Sequence, residues 1–123
     1  MNPHELHQLS TPKLVERFIS TEVDQFQAEL QGDIAKQNKC VRVATAIAKE
    51  LKNRPGDQRS MLLELYKHPN VQVRLMAAKL TLAVAPSAGR QLLESIGESH
   101  GYPQAMDAGM CLWTLEQGIF NPT

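Results

Sequence analysis

Proline and glycine cut this chain into pieces the length of helices. The cuts fall at Pro12, Gly32, Pro55-Gly56, Pro69, Pro86, Gly101 with Pro103, and Gly118. Between them apolar residues recur every three or four positions, the mark of one buried helical face. Ser10-Thr11-Pro12 opens the first long element with a hydroxyl cap and a proline at the first helical position. Leu14, Val15, Phe18, Ile19, Val23, Phe26 and Leu30 then form an apolar stripe up to Gly32. Asp33 caps a second long element carrying Ile34, Val41, Ala44, Ile47, Ala48 and Leu51, stopped by Pro55-Gly56. A short third follows Asp57 with Met61, Leu62, Leu65 and Tyr66. Pro86 opens a fifth with Leu92, Leu93 and Ile96, and a sixth runs from about Gln104 to Gln117, where Gly118 suits a helix end.

The fourth element is the ambiguous one. In "HPNVQVRLMAAKLTLAVAP", residues 68–86, the run Val71 to Leu75 alternates like a strand. Val73, Met76, Ala77, Leu80 and Val84 nevertheless recur at helical spacing over a much longer span, and Asn70 is placed to cap it. Helix prevails. With no hairpin turn anywhere, the expected fold is all-α, about six helices in three antiparallel pairs. Residues 1–10 are expected to be a flexible lead-in and 11–123 a single helical domain. Ala77, Ala78, Leu80, Leu112 and Leu115 are the expected core positions of the later helices.

Charge excludes some functions. Thirteen acids balance thirteen bases, so no net positive field draws the chain to nucleic acid or membrane. No apolar run approaches the ~18 residues of a membrane span, and MNPHELHQLS lacks the basic start and apolar core of a signal peptide. Cys40 and Cys111, without CxxC spacing, read as buried, reduced thiols of a cytoplasmic protein. Locally the charge is uneven: residues 1–35 hold six acids and two bases, residues 36–60 two acids and seven bases. The ordinary meaning is two packed helices with complementary faces.

Two segments look related. Leu62-Leu63-Glu64 recurs thirty residues on as Leu92-Leu93-Glu94, and Ala77-Ala78 is echoed by Ala108-Gly109. Such a period suits helix-pair repeats. The residues Leu63, His68-Pro69-Asn70, Val73-Arg74, Ala77-Ala78 and Leu80 resemble the turn and second helix of a HEAT-type repeat. More specifically, "HPNVQVRLMAAKLTLAVAPSAGRQLLESI" followed by "YPQAMDAGMCLWTLEQGIFNP" is similar to a small bacterial family known as domain of unknown function number twenty-nineteen. That likeness covers residues 60–122, with Leu14-Val15-Glu16-Arg17-Phe18 the best local agreement before it. The resemblance implies a HEAT-like α-α superhelix. Relatives near secreted toxins imply an immunity role, with a toxin encoded nearby as partner.

Chemistry is thinly represented. His4 and His7 share a helical face but lack a third ligand, so no metal is expected. There is no nucleophile elbow, phosphate-binding glycine loop or carboxylate pair, so neither catalysis nor a cofactor is expected. His68, at the end of the third helix, suits the helix dipole. Arg74 and Asp107 are candidates for a structural polar pair. Trp113 and Phe120 read as core or lid, or as binding anchors if exposed. What remains is a protein-interaction domain, of immunity or adaptor type, whose acidic candidates are Glu16, Glu22, Asp24 and Glu29. The alternative is nucleic-acid binding through the basic 36–59 segment, with Lys36, Lys39, Arg42, Lys49, Lys52 and Arg54. No aromatic lies among those cations to stack on bases.

Overall fold

Why the pieces between the cuts become helices is visible at their ends. In the computed structural model, which describes residues 3–123, every regular element is a helix. These are α1 (Pro3–His7), α2 (Thr11–Gln31), α3 (Ile34–Asn53), a 3₁₀ helix (Gln58–Lys67), α4 (Val71–Leu80), α5 (Pro86–Glu98) and α6 (Gln104–Glu116). Ser10 caps α2 through its Oγ, Asp33 caps α3, and the Asn70 carboxamide accepts from the amides of Gln72 and Val73 at 2.8 and 3.3 Å. Gly32 and Gly118 take left-handed conformations after α2 and α6, where a side chain would be strained. The chain forms two compact units, Met1–Met61 and Leu62–Thr123.

In the first unit the two-residue turn Gly32-Asp33 folds α3 back along α2. Leu14, Phe18 and Ala28 of α2 and Cys40, Ala44, Ile47, Ala48 and Leu51 of α3 are buried. The inner side of α2 is not the one its longest apolar stripe marks. It also carries Thr21, Glu22 and Gln25, while Val15, Ile19, Val23 and Phe26 are half-buried and Leu30 is exposed. The helix has two apolar arcs, and the one holding Leu14 and Phe18 turns inward.

The segment expected as a flexible lead-in is docked over its described residues. Leu6 is buried, and Arg54 donates to the carbonyls of Leu6, His7 and Leu9 at 3.3, 3.5 and 2.6 Å. Its Nε meets Glu50 at 2.8 Å, and its Nη1 meets the Thr11 hydroxyl. One guanidinium thus serves three carbonyls at and just past the end of α1.

In the second unit α5 packs on both α4 and α6, and α6 closes on α4. Leu75, Ala78, Leu82, Leu93, Ile96, Ala108 and Cys111 form one cluster, with Leu112 and Leu115 packed against it. Ala77 and Ala78 are fully buried as expected, and Leu80 is half-buried. The third element is a 3₁₀ helix, which explains its burial pattern. At three residues per turn Arg59, Leu62 and Leu65 share one line, and all three are buried. Leu62-Leu63-Glu64 therefore differs locally from its echo Leu92-Leu93-Glu94, which is α-helical.

Gly89 is where α5 meets α4 most tightly. A Cβ there would lie 2.9 Å from Leu82 Cδ2 and 3.3 Å from the Ala78 carbonyl. Gly97 sits over the backbone of α6, its virtual Cβ 3.7 Å from the Gly109 amide, whereas nothing lies within 4 Å of a Cβ built on Gly109. Gly89→Leu should lower stability by about 2 kcal/mol through overpacking. Gly109→Ala should raise it by about 0.5–1 kcal/mol through helix propensity. Urea denaturation of both variants checks the pair, and equal effects of one sign would contradict this packing.

The Arg54 clamp carries a pH signature. Hydrogen bonding from Arg54, and secondarily from His7, holds the Glu50 carboxyl below its usual range. A depressed folded pKa stabilises the fold above the unfolded value and ceases to do so as pH falls through the folded one. The stability gap between wild type and Glu50→Gln should therefore be full at neutral pH and shrink below the ordinary carboxylate range of about 4. Denaturation midpoints across that range test it.

Candidate interaction surface

α6 has no ordinary polar side. Ala108 and Cys111 point into the core, and Gln104 is buried with its amide donating to Gln72 Oε1 at 3.0 Å. On the opposite side, where a surface helix carries charge, stand Met106, Gly109, Met110 and Trp113. Tyr102 precedes them by one turn. Their exposures are 74% for Tyr102, 59% for Met106, 56% for Met110 and 50% for Trp113. Ile119 and Phe120 extend the apolar surface past the helix, and the amides of both donate to the Thr114 carbonyl.

The two charges of α6 are drawn off this face. Asp107 Oδ1 lies 2.8 Å from Lys79 Nζ, and Glu116 lies 3.8 Å from Arg90. The expected pairing of Arg74 with Asp107 is therefore not formed. Arg74 instead turns back on its own helix entrance, donating to the carbonyls of His68 and Pro69 at 2.7 and 3.0 Å, while the Asn70 amide donates to His68 Nδ1. Six residues separate Arg74 from His68, and the extended guanidinium reaches those carbonyls more directly than it reaches another helix.

Burial pushes the Cys111 thiol upward, with Asp107 adding and Lys79 opposing, so it stays neutral. Cys40 is raised in the same way, first by burial and then by Asp24 and Glu22. Neither cysteine is in a disulfide.

The acidic candidates on α2 do not make one face. Glu16 is exposed and lies 3.3 Å from Lys13; Asp24 is exposed; Glu29 is half-buried. Glu22 is fully buried, because it falls on the inward arc with Phe18 and Gln25, and it cannot serve an exposed surface. The basic segment divides similarly. Lys36, Lys39, Arg42, Lys49 and Lys52 are exposed, but Arg54 is spent on the α1 carbonyls and Arg59 is buried against Asp57 at 2.6 Å. His4 meets Gln8 and His7 meets Glu50, and among the described residues no group of three His, Cys, Asp or Glu side chains is set to hold a metal. No helix among them is long and apolar enough to cross a membrane.

The family model described as a domain of unknown function, DUF2019, matches residues 12–116. The chain belongs to the DUF2019 family. The match reaches back through α2 and α3, well beyond the half of the sequence in which the likeness was plain. The chain is also similar to the protein RPA1889 from Rhodopseudomonas palustris CGA009, known from a crystal structure. The two are 52% identical over 96% of this chain and 98% of that one, with a TM-score of 0.93. No protein of curated function matches. The sequence signal for the exposed face was the composition of α6 itself: apolar residues at 106, 110 and 113 as well as at 108, 111, 112 and 115, so more than one side of the helix is apolar.

Proposed function

We propose that this DUF2019 protein is a non-catalytic, cytoplasmic interaction domain that binds another protein through the outer face of α6. The observation that carries the reading is the uncharged line Tyr102, Met106, Met110 and Trp113, which covers about three helical turns. Isolated exposed apolar residues are ordinary on a protein surface, whereas a continuous line of them is a mark of docking. Its residue types support the same reading. Methionine adapts to irregular partner surfaces, and tryptophan and tyrosine dominate binding energy where they are covered.

The partner is a protein presenting an apolar patch, and the role is of adaptor or immunity type, in which covering the partner's surface is the whole function. Two buried, unbridged cysteines suit a reducing compartment. Asp24 and Glu16 then act at most at a distance, through steering. Nucleic-acid binding finds less support, because two arginines of the basic segment are committed inside the first unit.

The test is capture of the product of the adjacent gene on immobilised protein. Met106→Glu with Met110→Glu should weaken capture by about tenfold or more, equivalent to 1.4 kcal/mol. The melting temperature should be unchanged or higher, as for exposed substitutions generally. Glu16→Lys with Asp24→Lys should change capture much less. If the lysine pair abolishes binding while the methionine pair leaves it intact, the α2 surface is the functional one. A strong shift of DNA or RNA at physiological salt would favour the nucleic-acid alternative.

A further inference from the structure

The hairpin of α2 and α3 encloses a groove of about 620 Å³, lined by ten residues of the two helices and the turn between them. That volume lies within the range of small-molecule sites, roughly 300–1,000 Å³. Ala35, Val43 and Cys40 supply apolar surface, Ser20 and Thr21 supply hydroxyls, and five charged side chains complete the lining: Arg17, Asp24, Asp33, Lys36 and Lys39.

The charges stand out because both signs line one concavity without pairing across it. Elsewhere Glu50 meets Arg54, Asp57 meets Arg59, Lys79 meets Asp107 and Arg90 meets Glu116. Among the described residues, Arg17, Asp24, Lys36 and Lys39 lie in no ion pair, although both signs face the same concavity. Asp33 has committed one carboxylate oxygen to the Lys36 amide. Three cations therefore stand against Asp24, with Asp33 a second carboxylate held at the turn by the Lys36 amide. A simple anion would leave Asp24 repelled, and a simple cation would meet three like charges. A molecule with acidic groups for Arg17, Lys36 and Lys39, and an ammonium for Asp24, satisfies all four.

We infer that the α2–α3 groove is a binding site for a small amphoteric anion, about the size of an acidic dipeptide, that carries a free ammonium group. Arg17 and Asp24 are seven residues apart, about 10 Å along α2, so the acidic and basic ends of the ligand lie lengthwise in the groove. The neutral Cys40 thiol and the Thr21 hydroxyl, which donates to the Arg17 carbonyl at 2.7 Å, line it without adding charge. The site is built from α2 and α3 alone and does not depend on how α6 is used.

Titration of the full chain with the dipeptide Glu-Glu, followed by backbone amide NMR, tests this. Saturable shifts are expected at Thr21, Lys36 and Cys40, at millimolar concentration or below. N-acetyl-Glu-Glu, which lacks the ammonium, should bind about threefold more weakly, the scale of one exposed ion pair. Asp24→Asn should remove the difference between the two peptides. Arg17→Glu should weaken both by about tenfold, with the remaining amide spectrum preserved as evidence of folding. Absence of saturable shifts, equal binding of the acetylated peptide to wild type, or binding indifferent to Arg17→Glu would each overturn the assignment.

Discussion

A helix that is apolar on both sides sets the terms for this molecule. The inner side of α6 is held by Leu93, Ile96, Ala108 and Cys111, and the Gln72–Gln104 bond fixes its first turn to α4. Its two acids are tied to Lys79 and Arg90. No charged residue stands at positions 106, 109, 110 or 113 of its outer side. In water such a face is unfavourable at about 25 cal/mol for each square ångström left uncovered. A chain that needed α6 only for its own core would gain solubility from lysine or glutamate at 106, 110 or 113.

Specific ion pairs and hydrogen bonds decide where the polar groups go, and in both units they draw them inward. Arg54 is the clearest case, linking the ends of α1 and α3 through three carbonyls and Glu50. Arg74 does the equivalent at the entrance to α4. Arg54, which the sequence left available to a polyanion, is thus structural. Arg17, Asp24, Lys36 and Lys39, which lie in no ion pair among the described residues, line the α2–α3 groove.

How much of this could be read from residues alone follows from the range of each interaction. Helix starts were legible because caps are local: Ser10, Asp33 and Asn70 bond amides two or three residues away. The burial of Ala77 and Ala78 followed from spacing. The orientation of α2 did not, because its apolar residues occupy two arcs and periodicity cannot choose between them. Glu22 was consequently placed outside when it is inside. The partner of Asp107 lies twenty-eight residues away in sequence, and only the packing of α4 against α6 selects Lys79 over Arg74. The exposed apolar face of α6 was half legible. Trp113 read as core or lid, or as an anchor if exposed, until the position of Ala108 and Cys111 fixed which side faced out.

Methionine oxidation addresses the central claim without knowledge of the partner. Peroxide attacks exposed thioethers and spares buried ones, and this chain offers both. Met106 and Met110 lie on the outer face of α6, Met61 is 41% exposed elsewhere, and Met76 is buried. Brief peroxide treatment of the purified protein, and of the protein inside the cells that produce it, is read out by peptide mass spectrometry. In the purified protein, Met106, Met110 and Met61 should oxidise readily and Met76 slowly. In the cell, Met106 and Met110 should be protected relative to Met61. Equal oxidation of Met61, Met106 and Met110 in both settings would mean that the α6 face stays bare, contradicting the docking role proposed for it.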